Sequence, residues 1–263
     1  MKHVKPHCQD ERAKRILSKK IVLAVILRES FPVFRHFPLL EIVKYIDPDA
    51  KGDSIVGLNR ETHVEGGKTI QDLVFPLDIP YRGEKIRILV NLEMQVRGTG
   101  LGYHLQNREL HYWSSQIARQ HGETFKGTDY DGLLPVASIW VVMEPEKSRR
   151  GTWIRTVLDE YRLNDGVRVP LDVKQQLNAI LEINLGKSED GVYTGNAADR
   201  MLRILFEEEL SEEETRERLC AIGLPEVADA LKEEPVMEWG LDEYYRRKAE
   251  KRYLEQLRAR DRA

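Results

Sequence analysis

The stretch Ile70-Gln71-Asp72-Leu73-Val74-Phe75-Pro76-Leu77, followed by Pro80-Tyr81-Arg82-Gly83-Glu84 and then Ile86-Arg87-Ile88-Leu89-Val90-Asn91-Leu92-Glu93-Met94-Gln95, decides the fold of this chain. Side chains alternate between two faces along a strand, so Lys68 to Leu77 reads as a strand with Ile70, Asp72 and Val74 on one side. Residues 80–84 have turn composition. Ile86 to Val96 reads as the return strand, with Leu89, Asn91, Glu93 and Gln95 sharing a face. If the strands pair outward from a turn at Arg82 and Gly83, Asp72 falls opposite Glu93. Pro76 and Pro80 each remove a ladder donor, which leaves that register open by a residue or two.

Outward from the hairpin the pattern is helical. Upstream, Glu11 to Leu27 carries apolar residues at helical spacing and predicts one helix, and Leu39 to Ile46 predicts a short second one ended by Asp47-Pro48. Downstream, Leu105 to His121 predicts a helix, and Leu134 to Met143 is the apolar, β-branched run of a buried strand. Trp153 to Tyr161 predicts a further element of the same domain. This order suits an α/β domain with a mixed sheet flanked by helices, because the hairpin is antiparallel and the helix before Val136 can cross over to a parallel neighbour. Beyond Pro170 the expectation is helical almost throughout: Val173 to Leu185, Ala197 to Leu210, a capping box at Ser211 opening a helix to Ala221, and an ion-paired helix from Glu238 onward. The expected division is residues 1–165 for the α/β domain and 166–263 for a helical C-terminal region.

Composition narrows the function classes. The 263 residues are 41% hydrophobic, enough for a sizeable core, and the formal charge of −3 supplies no global field to attract a polyanion. Any nucleic-acid contact must then use a local patch. Two cysteines, Cys8 and Cys220, lie far apart and outside any metal-ligand spacing, which points to a reducing cytoplasm. The apolar run from Ile21 to Leu27 is too short to span a bilayer and has no cleavage pattern, so no membrane role and no export are expected.

Two carboxylates side by side on a sheet destabilise it unless something neutralises them. One solution is a divalent cation with oxygen ligands, Mg²⁺ or Mn²⁺, held by Asp72 and Glu93 with the Met94 carbonyl as a further ligand. Such an ion polarises a phosphate oxygen and activates water for phosphodiester hydrolysis. The other solution is a solvated sheet face on which Lys85, Arg87 or Arg97 satisfies each acid. Spacing alone leaves both open.

A family likeness bears on that choice. The strings Gly57-Leu-Asn-Arg-Glu61-Thr, Glu65-Gly-Gly, Ile70-Gln-Asp72-Leu-Val-Phe75 and Asn91-Leu-Glu93-Met-Gln95 resemble the transposase group of the PD-(D/E)XK nucleases, relatives of the Rpn recombination-promoting nucleases. The likeness continues through Tyr103-His-Leu, Arg108, Tyr112, Gln120, Phe125, Tyr130 and Val136-Ala-Ser-Ile-Trp140. It covers roughly residues 15 to 160 well and the helical remainder weakly. It implies a restriction-endonuclease-like core, DNA as partner, and Asp72 and Glu93 as metal ligands, with Gln95 standing where many relatives carry Lys. An amide has no charge, so Gln95 is limited to orienting water or phosphate. Glu61 and Glu65 match acidic positions of the pattern and add a candidate ligand or general base.

Arg108, Tyr112 and Gln120 fall on one helical stripe and are candidate substrate residues; Gln116 lies on it too. Relatives often carry a second arginine near position 116, and the nearest cation here, Arg119, is turned off the stripe. The plain alternative makes Tyr112 and Trp113 core anchors and Arg108 a surface cation. Lys147, Arg149, Arg150 and Arg155 form a basic cluster that reads either as phosphate contacts or as a solvated loop. His104 and His111 lack partners for zinc, and Gly98, Gly100 and Gly102 lack the context of a nucleotide loop. The leading expectation is a metal-dependent DNA endonuclease. The alternatives are an inactive nuclease-fold protein that binds DNA or a protein, and an assembly protein whose C-terminal helices make a homo-oligomer.

Overall fold

A computed structural model describes residues 7–50, 54–56, 58–64, 67–186, 195–207 and 210–232, with the side chains of 7–12, 58–64 and 67–71 left aside. In chain order the elements are helices α1 (His7–Ser18), α2 (Lys20–Ser30) and α3 (Leu39–Ile42), then strands β1 (Leu58–Val64), β2 (Gly67–Tyr81) and β3 (Glu84–Arg97). Helix α4 (Leu105–Glu123) and strands β4 (Val136–Glu144), β5 (Trp153–Val157), β6 (Glu160–Tyr161) and β7 (Arg168–Val169) follow. The described chain closes with α5 (Val173–Gln176), β8 (Ala179–Asn184), α6 (Ala197–Leu205), α7 (Glu212–Ala221) and α8 (Pro225–Lys232).

One six-stranded mixed sheet in the order β1-β2-β3-β4-β8-β5 organises these elements. β1, β2 and β3 form an antiparallel meander, β3, β4 and β8 run parallel, and β5 returns antiparallel at the edge. The hairpin register is unbroken from Tyr81↔Glu84 to Leu73↔Leu92, with neither proline shifting it. Arg82 (φ 49°) and Gly83 (φ 86°) both adopt the left-handed region, the two-residue turn whose twist matches that of the strands it joins. Pro76 uses its carbonyl instead of a ladder N–H, accepting from Asp47 N at 2.8 Å.

The two faces of the sheet differ. On one, Leu73, Phe75, Leu77, Val90, Leu92, Ile139, Val141, Leu181 and Ile183 build the main core against α2 and the C-terminal helices. On the other, the paired rows read Asn91, Ser138, Ile180, then Glu93, Trp140, Glu182, then Gln95, Val142, Asn184, beneath α4. Fully burying a large apolar side chain is worth about 1.5–3 kcal/mol, so the first face supplies most of the stability. The second face is free to carry polar groups.

Two expectations change. The predicted helix from Glu11 to Leu27 is two helices broken at Lys19 (ψ 123°), because the chain there bridges to Ile55, with Lys20 N donating to Ser54 O and Val56 N to Ser18 O. This tertiary pairing overrides an uninterrupted local periodicity. α2 is buried on every side from Lys20 to Leu27, as a helix clasped between a sheet and further helices must be. The predicted helix from Val173 to Leu185 is a one-turn helix with an Asp172–Gln175 capping box, followed by β8. A central parallel strand is an apolar run on both faces and carries no alternation to distinguish it from a buried helix. The sheet and its core therefore extend past residue 165, since β8 and residues such as Met201, Leu202 and Val227 belong to them. The capped helix after Ser211 and the helix from Ala197 are present, and the segment from Glu238 lies outside the described residues. No helix among the described residues is long and apolar enough to cross a membrane.

Candidate functional site

Asp72 and Glu93 come together as the hairpin register requires. Asp72 N donates to Glu93 Oε1 at 3.2 Å, and Met94 N donates to Asp72 Oδ2 at 3.0 Å. The pair is buried, Asp72 8% exposed and Glu93 2%. The pair does not sit on a solvated face, and two of the three cations offered for it are engaged elsewhere: Arg87 pairs with Asp78 and Asp49, and Lys85 lies against Asp78. The cation at the pair is instead Lys14 from α1, whose Nζ is 2.8 Å from Asp72 Oδ1. Burial, and then the adjacent Asp72 charge, hold the Glu93 carboxyl well above the usual carboxylate range. The Asp72 N–H, Arg108 and Lys14 act in the opposite direction.

The second cation at the pair is Arg108 on α4. Its guanidinium donates to Gln95 Oε1 at 2.9 Å, to the Tyr112 hydroxyl at 3.1 Å and to the Tyr103 hydroxyl at 3.4 Å, and lies over the rings of Tyr112 and Trp140 at 4.9 and 5.5 Å. Arg108 is half-buried and raised above its usual value by the two tyrosines, against the opposing effect of burial. Arg108 and Gln95 therefore act as one unit, with Gln95 Nε2 tied to Arg97 O at 2.7 Å.

Gln120 takes a different place. Its amide accepts from Leu134 N at 2.7 Å and donates to Leu134 O at 2.9 Å, clamping the chain that enters β4. Tyr112 packs against Trp140 with tilted rings whose centroids are 5.3 Å apart, the core-anchor role, and its hydroxyl accepts from Arg108. Trp113 is a core anchor through Nε1 to Val136 O. Met94 sends its side chain into the main core and its N–H to Asp72. Glu61 lies in β1 opposite Ile70, and Glu65 is outside the described residues.

The donors are the oxygens of two carboxylates in one buried unit, the ligand type that a hard divalent cation takes. Lys14 and Arg108 already supply positive charge at the pair, so an ion there would displace the Lys14 ammonium from Asp72 Oδ1. Mg²⁺ commonly keeps several waters and needs few protein ligands. No cluster of three or more His, Cys, Asp or Glu able to hold an ion occurs among the described residues, so Asp72 and Glu93 would be its side-chain ligands there.

Across Trp140 from Glu93 lies a second acidic group that the sequence pattern did not reveal. Glu182 accepts a fork from Arg149, Nε to Oε1 at 2.8 Å and NH2 to Oε2 at 2.7 Å, which holds its carboxyl below the usual range despite burial. Glu109, on α4 and 4% exposed, is pushed up to about 8 by burial and by the Glu182 charge. Glu109 therefore keeps its proton and shares it with Glu182. Arg149, one of four cations read as a loop cluster, is thus anchored inward. Reading Ala179 to Asn184 as a strand would have revealed Glu182 as a charge interrupting a buried run. No protein-family model matches the chain, and no curated protein or solved structure matches it either.

Proposed function

We infer that this protein is a metal-dependent phosphodiester hydrolase acting on DNA, with Asp72 and Glu93 as the ligands of Mg²⁺ or Mn²⁺ and a restriction-endonuclease-like core as its scaffold. The observation that carries this reading is the buried Asp72–Glu93 pair on adjacent strands, each carboxylate accepting a backbone N–H from the other strand, with Arg108 and Gln95 at its edge. A mixed α/β sheet flanked by helices, with the hairpin followed by a helix and a parallel strand, is compatible with that reading. When bound, the ion supplies Lewis-acid polarisation of the phosphate and an acidified water. Arg108 is placed to neutralise a phosphate oxygen, and its fork is preset by the Tyr112 and Tyr103 hydroxyls. Gln95 orients Arg108 rather than carrying charge itself. Lys14 screens Asp72 and gives the pair a counter-charge from a separate element.

Incubating supercoiled DNA with the full chain and Mg²⁺ or Mn²⁺ tests the reading: nicking is expected, and Asp72→Ala should abolish it. One observation favours a second reading, in which the fold binds DNA or a protein without cutting. Lys14 already neutralises an Asp72 oxygen at 2.8 Å, so an ammonium ion pair can stand in place of a metal. Under that reading neither protein nicks the plasmid while both retard it in a gel.

A further inference from the structure

The second acidic group opens onto a cavity of about 270 Å³ at the carboxyl ends of β3, β4 and β8, the place in an α/β sheet where ligands are usually received. Its floor is Glu182 and Asn184, its wall the first turn of α4 with Gln106, and its rim Tyr103 and His104. Asn184 is 1% exposed, and its Oδ1 accepts no hydrogen bond although Nδ2 reaches Thr152 Oγ1 at 3.4 Å. An orphaned buried acceptor costs about 1–3 kcal/mol, which a donor reaching it from the cavity would recover. α4 begins here with no side-chain cap, leaving first-turn N–H groups to meet acceptors. Gln106 Nε2 lies 3.4 Å from Glu182 Oε2 and presents both a donor and an acceptor of its own.

The cavity joins the first site. Tyr103 lines it while its hydroxyl accepts from Arg108, and Glu182 and Glu93 flank Trp140 in one row, about 10 Å apart by two strand spacings. We propose that this cavity is a subsite for one unpaired nucleobase bearing an exocyclic amine, on a DNA strand whose neighbouring phosphate lies at Arg108. The amine donates to Asn184 Oδ1 or Glu182, in the way carboxylates and amides read cytosine N4 or adenine N6. Tyr103 and His104 offer the rings on which an unstacked base rests. Asn184 and Glu182 would meet the amine through the base's pairing edge, which is free only in an unpaired base, so the substrate class is single-stranded or locally opened DNA. This proposal rests on the nuclease reading for the identity of its ligand.

The test is anisotropy with labelled single-stranded oligo-dC, oligo-dA and oligo-dT, and with a duplex, all in EDTA so that no cleavage is involved. Wild-type protein should bind oligo-dC and oligo-dA about tenfold more tightly than oligo-dT, the low end of what one read base edge is worth. It should bind the duplex more weakly than oligo-dC. Asn184→Ala and the exposed Gln106→Ala should each weaken oligo-dC and oligo-dA binding far more than oligo-dT binding, so that the preference collapses. Equal affinity for all single strands, preferential duplex binding, no binding of any oligonucleotide, or variants that weaken dC and dT alike would each overturn the proposal. Glu93→Gln separates the two claims: cleavage lost with the base preference intact supports both, and a wild type that shows the preference without cutting refutes the nuclease reading alone.

Discussion

Glu109→Gln isolates a charge effect that burial imposes away from the Asp72–Glu93 pair. The Glu109 carboxyl is pushed up to about 8 from an ordinary value of 4.5, first by burial and then by Glu182. Between those values the folded chain holds a proton that the unfolded chain has released, so the contribution of this group to stability falls as pH rises. Every pH step of one across that interval removes about 1.4 kcal/mol, which sets an upper bound of about 3 kcal/mol lost by pH 7. Solvent screening beyond the buried side chain reduces this to roughly 1–3 kcal/mol. Glutamine keeps an N–H to donate to Glu182 and cannot ionise, so it preserves the contact and removes the pH dependence. Urea denaturation of both proteins, extrapolated at a series of values from about pH 5 to 8.5, reads the difference. The curves should nearly meet at the acid end, diverge with rising pH in favour of the variant, and run parallel again above about pH 8. Parallel profiles throughout, or a variant less stable at pH 7, would refute the assignment of the shared proton to Glu109.

Arg108→Lys should lower nicking by at least tenfold, because an ammonium cannot serve Gln95, Tyr112 and Tyr103 together; steady-state rates on supercoiled DNA check this, and an unchanged rate would remove Arg108 from the site. Gln120→Leu should cost about 1–3 kcal/mol in urea denaturation by orphaning the Leu134 N–H and carbonyl, with metal binding unaffected. A loss of metal or DNA binding at full stability would instead return Gln120 to the substrate. Trp140→Ala should cost about 3–5 kcal/mol, since it empties the space between the two acidic groups and frees the Ser138 hydroxyl that Nε1 now meets; thermal unfolding measures it. Lys14→Gln should tighten Mn²⁺ binding by removing the ammonium that competes for Asp72 Oδ1. Weaker binding in that variant would mean that Lys14 supports the metal instead of competing with it.

The hairpin was legible because strand alternation and a two-residue turn specify register together, and register is what brings Asp72 to Glu93. The helical stripe of Arg108 and Tyr112 was legible for the same kind of reason, a single period along one element. Lys14 was not, because a helix's period says which of its residues share a face and not which strand that face meets. Glu182 and Asn184 were hidden by the ambiguity of a doubly buried strand, whose apolar spacing matches a helix over six residues. Gln120 shared the stripe of Arg108 but lies farther along α4, beside the chain entering β4, where it binds backbone. Spacing places residues on a face; the distance along the face decides which neighbour each one finds.

The most direct test of the central claim is a calorimetric Mn²⁺ titration of the full chain beside Asp72→Asn and Glu93→Gln. The wild type should give a binding isotherm that both neutral substitutions abolish, with each variant still folded by its far-UV spectrum. Identical isotherms in all three proteins, or no binding to the wild type, would contradict the claim and leave the Asp72–Glu93 pair as an ion pair with Lys14.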